Sequence, residues 1–402
     1  MKLLYSFLLG ATFCSPLIPV QSGLAQSWTD IGAPYSHWYG IASSANGSNL
    51  VASASQEYLI YTSSDAGVTW TPSGAPSLNW GPVASSADGA RLAAIGFTGS
   101  SYPIYISADF GATWTLASVP NFEWTSIALS ADGTKLVAVS DYDPSSNPGP
   151  IYYSTNSGTN WTLASAPIAH WTSVAASADG TRLVAGIAGG LIYASTDSGA
   201  TWKATSAPDA NWYSMASSCD GVKLVASSST GGSIYCSTNS GATWTPSGAP
   251  NLTWGPLASS ADGRILVTAG FTGSAYPIYT SSDSGVTWTL VSTPIYEWNS
   301  VAVSADGMKL LAVSLNDPSN GAGPIYVSQI APTPSLRITH ITGNALLSWT
   351  IPSMSFTLQQ SSDLATSNWI DVTASPVLNF SNLQNQVTVP PTNGNKFYRV
   401  TH

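Results

Sequence analysis

A tryptophan preceded by a polar or charged residue occurs seven times along the chain, at intervals of 41 to 47 residues. An aromatic face beside a hydrogen-bonding group is the combination that binds sugars or flat polar ligands at concave sites. The alternative is structural: a tryptophan present in every repeat packs between neighbouring repeats, and its polar neighbour meets water. Equal repetition favours the structural interpretation, although both stay open at this point. The pairs are His37-Trp38, Asn79-Trp80, Glu123-Trp124, His170-Trp171, Asn211-Trp212, Thr253-Trp254 and Glu297-Trp298.

Carboxylates are the second group of side chains that could do chemistry. Glycoside hydrolysis needs two carboxyl groups about 5 to 10 Å apart. Glu123 and Glu297 are the most prominent pair, but they belong to the third and seventh copies and are expected to face each other across a wider gap. Asp141 and Asp143 lie in a loop rich in Pro, Ser and Asn, where a capped turn or a weak calcium site is more common than a catalytic pair. The sequence therefore predicts no catalytic residue and disfavours an enzyme.

The tryptophans open a repeated motif of the form Trp-x-x-apolar-Ala-x-Ser-x-Asp/Asn-Gly. A period of about 40 to 45 residues is typical of β-propeller blades. The Asn-Gly or Asp-Gly pair predicts a two-residue hairpin turn with positive φ at both residues. The turn is followed by a second strand, then by an Ile-Tyr-x-Ser strand, and then by a fourth strand that starts at another tryptophan. Seven copies predict an all-β fold, a seven-bladed β-propeller over residues 26–330.

A second motif, Ser-x-Asp/Asn-x-Gly-x-Thr/Asn-Trp, lies six times between the third and fourth strands. It resembles the Asp-box, or bacterial neuraminidase repeat. Its Asp or Asn can accept N–H groups of the turn, and its glycine can take a positive φ. The resemblance implies a structural hairpin on the face away from an active site. The box residues are Asp65, Asp109, Asn156, Asp197, Asn239 and Asp283.

The resemblance does not extend to sialidase chemistry, because a fold does not carry a function by itself. Sialidases with this repeat have six blades, hold the substrate carboxylate with three arginines, and use a tyrosine paired with a glutamate as nucleophile. In this chain the propeller arginines, Arg91, Arg182 and Arg264, all follow Asp-Gly turns. We therefore expect no sialidase activity.

The ends of the chain complete the domain plan. Residues 1–25 resemble a secretory signal peptide, with one lysine, an apolar run and small residues before Gln26. The seventh copy lacks a box, while residues 27–34 match residues 243–250, so we expect the N-terminal strand to close the ring. After a linker at 331–335, residues 336–402 resemble the small immunoglobulin- or fibronectin-like β-sandwich that ends many secreted bacterial proteins. The expected location is extracellular or periplasmic.

Blade geometry separates two faces of the predicted propeller. The Asp-Gly turns and the boxes share a bottom face, where six of the seven basic residues of the propeller fall; the glutamates and histidines fall in the loops of the top face. The top loops of the second and third copies recur 174 residues later in the sixth and seventh. Because His37 and His170 belong to different blades, we expect no shared metal site. The tentative ligand site consists of the seven tryptophans with His37, Glu123, Asp141, Asp143, His170, Glu297 and Asp317.

The charge balance narrows the partners. The net charge is −9 and becomes −10 if a segment containing Lys2 is removed, on a chain with only 8% charged residues. Such a chain lacks the basic surface that nucleic acid or anionic membranes require, and no stretch after the first residues is apolar enough to span a bilayer. Cys219 and Cys236 fall on the first and third strands of one repeat, so a disulfide between them is open but awkward.

These patterns favour a secreted, noncatalytic binding or scaffold protein, monomeric and without cofactor, whose top face engages a glycan or a protein. The alternative is a secreted glycan-active hydrolase of the Asp-box glycosidase type. A third hypothesis is an assembly factor similar to the seven-bladed Asp-box propellers that help to build photosynthetic complexes. The third is weaker, because arginine-rich surfaces are expected of those proteins and this chain has few arginines.

Overall fold

The computed structural model describes residues 5–6, 28–273, 275–291, 293–294, 296–317, 321–329, 336–341, 344–350, 357–362, 368–379, 384–390 and 396–401. These residues form strands and turns, and no helix occurs among them. The predicted linker at 331–335 lies outside the described residues, as does the predicted signal peptide apart from residues 5–6. The repeated four-stranded antiparallel sheets are those of a β-propeller.

The described residues between 28 and 329 form seven such sheets, called blades 1 to 7. Two short strands precede blade 1: β1 (Tyr5–Ser6) and β2 (Trp28–Asp30). Blade 1 contains β3 (Trp38–Ser43), β4 (Leu50–Ala54), β5 (Leu59–Ser63) and β6 (Thr71–Pro72). Blade 2 contains β7 (Asn79–Ser85), β8 (Leu92–Phe97), β9 (Ile104–Ser107) and β10 (Thr115–Leu116). Blade 3 contains β11 (Glu123–Leu129), β12 (Leu136–Tyr142), β13 (Ile151–Ser154) and β14 (Thr162–Leu163).

The remaining blades repeat this order. Blade 4 contains β15 (Trp171–Ala176), β16 (Leu183–Ile187), β17 (Ile192–Ser195) and β18 (Lys203–Ala204). Blade 5 contains β19 (Trp212–Ser217), β20 (Leu224–Ser228), β21 (Ile234–Ser237) and β22 (Thr245–Pro246). Blade 6 contains β23 (Thr253–Ser259), β24 (Leu266–Phe271), β25 (Ile278–Ser281) and β26 (Thr289–Val291). Blade 7 contains β27 (Trp298–Val303), β28 (Lys309–Ser314) and β29 (Ile325–Gln329), and β2 pairs with β29 as its fourth strand.

Neighbouring blades share hydrophobic cores, and the tryptophan at or next to the start of each first strand lies in one of them. Trp80, for example, packs with Val51 and Ile60 of blade 1 and with Leu92 of its own blade. The second strand of a blade is buried on both faces, as all five residues of β4 are, because a blade lies on either side of it. The first strands contact one another in the order β3, β7, β11, β15, β19, β23 and β27, and β27 also contacts β3.

The Asp-Gly turns are longer than the sequence predicts. In blade 2 the backbone hydrogen bond from Ser86 N to Arg91 O closes a connection of four residues. Gly89 in this connection has a positive φ of 81°, whereas Asp88 does not have a positive φ. The Asp88 carboxylate accepts hydrogen bonds from Ser86 Oγ (2.6 Å) and Ala90 N (2.9 Å), so side chains stabilise the turn. The predicted two-residue turn with positive φ at both positions is therefore wrong, because the serine and aspartate side chains supply an alternative set of hydrogen bonds.

These turns leave one backbone N–H free to bond the next blade. The residue before each Asn or Asp donates its N–H to the carbonyl of the equivalent residue in the following blade, at 2.7–3.0 Å. The series returns to its start, since Ala305 N donates to Ala45 O at 2.7 Å. We call this set the bottom ring. Its members are Ala45, Ala87, Ala131, Ala178, Cys219, Ala261 and Ala305.

Basic side chains at the bottom face also connect neighbouring blades. Lys135 Nζ donates to Asp179 O (2.8 Å) and Lys223 Nζ to Asp262 O (2.8 Å). Lys309 Nζ donates to Gly47 O at 3.0 Å, which connects blade 7 to blade 1, and this lysine is only 4% exposed. Arg182 donates to Ser240 Oγ of the next blade at 2.9 Å. These side chains are therefore part of the scaffold.

The six box motifs share one hydrogen-bond pattern. In blade 1, Ser63 Oγ donates to Asp65 Oδ1 (2.8 Å) and accepts from Gly67 N (2.9 Å). Asp65 also accepts from Thr69 N (2.8 Å) and Thr69 Oγ1 (2.6 Å), and the hydrogen bonds from Thr69 lower the pKa of Asp65 to about 2. In the other boxes the equivalent backbone N–H donates to the Asp or Asn of the same blade, which is Asp109, Asn156, Asp197, Asn239 or Asp283.

The C-terminal residues form two further four-stranded sheets. Their strands are β30 (Arg337–Ile341), β31 (Asn344–Thr350), β32 (Thr357–Ser361), β33 (Ile370–Asp371), β34 (Val377–Asn379), β35 (Gln384–Val389) and β36 (Phe397–Thr401). One sheet has the order β30-β31-β35-β34 and the other β1-β36-β32-β33. Leu347 and Val387 of the first sheet pack against Leu358 and Tyr398 of the second. On β34, Leu378 packs against alanines of the bottom ring.

Candidate functional site

The seven first-strand tryptophans are 0–3% exposed. Each ring packs into a core between blades, where Trp38, for example, contacts the rings of Tyr61 (5.5 Å between centroids) and Trp70 (6.3 Å). A surface ligand therefore cannot stack on these rings. This corrects the tentative site, because Trp38, Trp80, Trp124, Trp171, Trp212, Trp254 and Trp298 belong to the scaffold.

The two histidines of the propeller, His37 and His170, each contact a carboxylate of the top face. His37 Nδ1 lies 2.8 Å from Glu57 Oε1, and the backbone N–H of His37 donates to the same carboxylate. Burial would raise the pKa of Glu57, but the hydrogen bonds from His37 outweigh it, so the pKa is lowered. His170 Nδ1 lies 2.8 Å from Asp141 Oδ1, which belongs to the preceding blade. The pairings tie top loops together, and the sequence did not show which carboxylate would meet which histidine.

Two of the predicted aspartates support loop structure. Asp143 Oδ1 accepts from Ser145 N (2.8 Å) and Asn147 N (2.9 Å), and the hydrogen bonds from Asn147 lower the pKa of Asp143. This carboxylate caps a turn, which was one of the two sequence interpretations. Asp317 is only 8% exposed and its carbonyl accepts from Gly321 N at 2.9 Å. The prediction that Asp317 is an exposed binding residue is therefore wrong, because the residue is buried.

Each first strand has a β-bulge directly after its tryptophan, at the top end of the strand. In blade 1 the pairing with β4 shifts between Trp38 and Gly40, so Tyr39 has no opposite residue. A bulge of this kind re-aims a side chain and is frequent beside functional sites. Because the first strands contact one another in sequence, the bulges lie together at the top ends of these strands, a region that we call the channel mouth. The bulge residues are Tyr39, Gly81 with Pro82, Thr125, Thr172, Tyr213, Gly255 with Pro256, and Asn299.

The bulge residues have two kinds of role. Thr125 Oγ1 donates to Trp171 O (2.8 Å), Thr172 Oγ1 donates to Trp212 O (2.8 Å), and Asn299 Nδ2 donates to Tyr39 O (2.7 Å). These three side chains connect blades. Tyr39 and Tyr213, by contrast, expose 43% and 45% of their surface. They are the bulge side chains that present a broad aromatic face to the channel mouth.

Two aromatic pairs, one tilted and one stacked, extend this surface where the second strand leads into the loop before the third. The ring centroids of Phe97 and Tyr102 lie 4.9 Å apart in blade 2, and those of Phe271 and Tyr276 lie 4.7 Å apart in blade 6. Phe97 and Tyr102 lie 174 residues before Phe271 and Tyr276. Tyr39 likewise lies 174 residues before Tyr213. We call the two tyrosines and the two aromatic pairs the mouth aromatics. The 174-residue period is visible in the sequence, but the predicted site lay at the tryptophans.

Glu123 and Glu297 adjoin these rings. Desolvation raises the pKa of Tyr102, and the charge of Glu123 and a hydrogen bond to it raise it further. The pKa values of Tyr213 and Tyr276 are raised by desolvation and then by nearby charges, Glu297 among them. Asn316 Nδ2 donates to Glu297 Oε2 at 3.2 Å. Glu123 thus lies beside Tyr102, and Glu297 lies near Tyr213 and Tyr276, which are rings that the prediction did not include.

Desolvation also raises the pKa of Tyr39, although 43% of this side chain is accessible. A raised pKa together with this exposure is expected of a ring at the channel mouth, where solvent reaches the ring although protein surrounds it. A raised phenol pKa keeps Tyr39 and Tyr213 neutral well above pH 7. The mouth can therefore offer neutral aromatic faces and hydroxyl groups beside carboxylates.

A cleft and two cysteines lie outside the mouth. A cleft of about 430 Å³ lies between the boxes of blades 1 and 2 and is lined by Thr62, Ser64, Asp109 and Phe110, but the Asp109 carboxylate is bound to its own turn. Cys219 and Cys236 are not joined by a disulfide in the described structure, and desolvation raises the pKa values of their thiols to about 11 and about 12. In the described part of the chain, no three His, Cys, Asp or Glu residues are grouped as metal ligands. Nor do the described residues contain a helix that could cross a membrane.

No protein-family model and no curated protein sequence matches the chain. Several solved structures share its fold. YCF48 bound to a D1 peptide has 16% identity and a TM-score of 0.56, over 79% of this chain and all of that one. The GH74 xyloglucanase from Xanthomonas campestris has 15% identity and a TM-score of 0.57, over 86% of this chain and 59% of that one. A GH74 enzyme from Niastella koreensis has 15% identity and a TM-score of 0.58, over 93% and 72% respectively. At these identities the likeness shows a β-propeller fold and leaves the function unresolved.

Proposed function

We propose that the protein is a noncatalytic binding or scaffold propeller that engages a protein or glycan through the mouth of its channel. The observation that carries the proposal is the break in the repeat at the bulges. The tryptophan before each bulge is the same in every blade, whereas the bulge residue changes and leaves Tyr39 and Tyr213 exposed. Variable positions on a repeated scaffold are where recognition usually resides.

The architecture we propose is a secreted, seven-bladed Asp-box propeller, closed by the N-terminal strand and followed by an immunoglobulin- or fibronectin-like sandwich. The pairing of β2 with β29 and the return of the bottom ring to Ala45 support the closed ring. The shared hydrogen bonds of the box motifs support the Asp-box assignment. The proposed location, extracellular or periplasmic, rests on residues 1–25 of the sequence.

Similar folds are used for both binding and hydrolysis. One structure of similar fold contains a bound peptide, and others are GH74 glycoside hydrolases. Binding is the better-supported function here, because turn amides hold Asp143, and Asp141 and Glu57 each pair with a histidine that links top loops. Hydrolysis by Glu123 and Glu297 is the alternative, since both lie at the mouth.

One comparison tests the proposal against this alternative. The protein from residue 26 onward would be screened against glycan and peptide arrays, and against polysaccharides with detection of reducing ends. Binding that is lost in Tyr39→Leu with Tyr213→Leu, without product release, is the expected outcome. Product release that disappears in Glu123→Gln or Glu297→Gln would establish the hydrolase instead.

A further inference from the structure

We propose that the channel mouth binds a lysine or arginine side chain of an extended segment of a partner protein, held over Tyr39 and Tyr213 and beside Glu123 and Glu297. This inference rests on the proposed binding function of the mouth and specifies its ligand. Two independent features support it, the aromatic faces and the distribution of charge.

The aromatic faces come first. Tyr39 and Tyr213 each expose more than two fifths of their surface at the channel mouth. Beside Tyr39, blade 2 has a glycine in its bulge: a Cβ atom built on Gly81 would lie 3.9 Å from Tyr39 Cε1. The glycine therefore lies against the edge of this ring, and a larger side chain at position 81 would cover it. A cation within about 6 Å of a tyrosine ring centroid is attracted by the electron-rich face.

The charge distribution points to the same ligand. The lysines and arginines of residues 28–329 are Arg91, Lys135, Arg182, Lys203, Lys223, Arg264 and Lys309. Six follow the Asp-Gly turns of the bottom face, and Lys203 lies on the outermost strand of blade 4. Glu123 and Glu297 at the mouth therefore have no lysine or arginine of the propeller as a neighbour on the top face. A mouth of this charge attracts cations and repels anionic ligands such as phosphate or sialic acid.

The extent of the surface favours a polypeptide over a small cation. The mouth aromatics include the Phe97–Tyr102 and Phe271–Tyr276 pairs, which extend the aromatic surface beyond the two central tyrosines into the loops of blades 2 and 6. The two halves are related by the 174-residue period, so an extended chain crossing the mouth meets a tyrosine and a glutamate on either side. Arginine suits such a site especially well, because its flat guanidinium stacks on rings and binds carboxylates.

The test uses two fluorescent Gly/Ser peptides that differ only in having two arginines or two citrullines, which are neutral but similar in shape. Fluorescence anisotropy with the full mature protein would measure both. We expect the arginine peptide to bind at least about tenfold more tightly, with a difference that shrinks as salt is added. Equal binding of the two peptides, or binding of neither, overturns the inference.

Variants separate the cation–ring contact from simple hydrophobic or structural effects. Tyr39→Leu with Tyr213→Leu should weaken arginine-peptide binding about three- to thirty-fold, whereas Tyr39→Phe with Tyr213→Phe should retain most of it, because the phenyl ring keeps the electron-rich face. The control Phe110→Leu removes an exposed ring on the bottom face and should change nothing. Equal losses in the Leu and Phe variants would contradict the inference.

The carboxylates are tested in the same way. Glu123→Gln with Glu297→Gln should weaken binding and flatten its salt dependence, whereas Asp371→Asn, on the C-terminal module, is a control for charge. A neutral oligosaccharide that binds the wild type and is lost in the Leu variants, with no preference for the arginine peptide, would leave the proposed function standing and refute this inference. Binding that is indifferent to every mouth variant would refute both.

Discussion

The two faces of the propeller follow opposite rules. On the bottom face every blade has nearly the same contacts: a serine–aspartate or serine–asparagine turn, one backbone hydrogen bond to the next blade, and in most blades a long side chain that reaches the same neighbour. On the top face the scaffold tryptophan is constant but the residue after it is Tyr, Gly, Thr or Asn. The bottom face joins the blades, and the top face differs between them.

This difference shows how to find a site in a repeat protein. A residue present in every blade is explained by the requirement to join blades, because each junction has the same geometry. The tryptophans and box aspartates are of this kind. Residues that depart from the repeat, such as Tyr39 and Tyr213, have no such explanation and are the candidates for recognition. Four predictions test the comparison, from the largest expected effect to the smallest.

Deleting residues 26–34 should have the largest effect. It removes β2 from blade 7, exposes the edge of β29, and takes Trp28 (8% exposed) out of a core. Loss of a buried tryptophan alone costs about 3–5 kcal/mol. We expect aggregation or loss of the cooperative transition in calorimetry. Deleting 336–402 should preserve a single transition at a slightly lower temperature, since the blades keep their own sheets and lose the Leu378 contacts with the bottom ring. A parent-like melt after the first deletion would contradict the assigned pairing.

Lys309→Ala should lower the free energy of unfolding by about 1–3 kcal/mol, because it leaves the buried carbonyl of Gly47 without its donor. The matched control is Lys203→Ala, an exposed lysine on β18, with an expected change within about 0.5 kcal/mol. Urea unfolding of both variants would measure the two changes in the free energy of unfolding. Equal effects would show that bottom-face lysines do not join the blades.

Asp65→Asn should reduce the acid sensitivity of the protein. In the folded protein the hydrogen bonds from Thr69 hold the pKa of Asp65 at about 2, below the ordinary 3.8. Its contribution to stability is therefore present above about pH 4 and is lost as the pH falls through about 2. The reverse change, Asn239→Asp, places a carboxylate beside Thr243 and should add the same sensitivity. Melting temperatures from pH 6 to pH 2 would show opposite changes in slope; parallel curves would argue against the assigned hydrogen bonds.

Glu123→Ala and Glu297→Ala should have the smallest effect on stability, within about 0.5 kcal/mol, because both side chains lie on the surface of the top face, where substitutions usually cost little. Asp317→Ala should be more damaging, since this residue is 8% exposed. Thermal unfolding of the three variants tests this order. A large destabilisation by either glutamate variant would mean that the top face also joins the blades.

Much of the fold follows from the sequence, because a β-propeller repeats one local pattern. The tryptophan spacing, the box motif and the alternation of strands are short-range signals, and the structure forms sheets of four strands at those places. The concentration of basic residues after the Asp-Gly turns was also visible in the sequence. The turn length was not, because the choice between two turn geometries depends on the neighbouring blade, which accepts the free N–H of the bottom ring.

The candidate site was decided by tertiary structure. The sequence shows that Trp38 and Tyr39 are neighbours, but not that packing between blades buries the first while a bulge exposes the second. Likewise, Asp141, Asp143 and Asp317 look alike in sequence, yet one binds His170, one caps a turn and one is buried. Local patterns determine which strands form, because backbone pairing depends on nearby residues. Which side chains remain accessible depends on contacts between residues that are far apart in the chain, and only the assembled propeller brings those together.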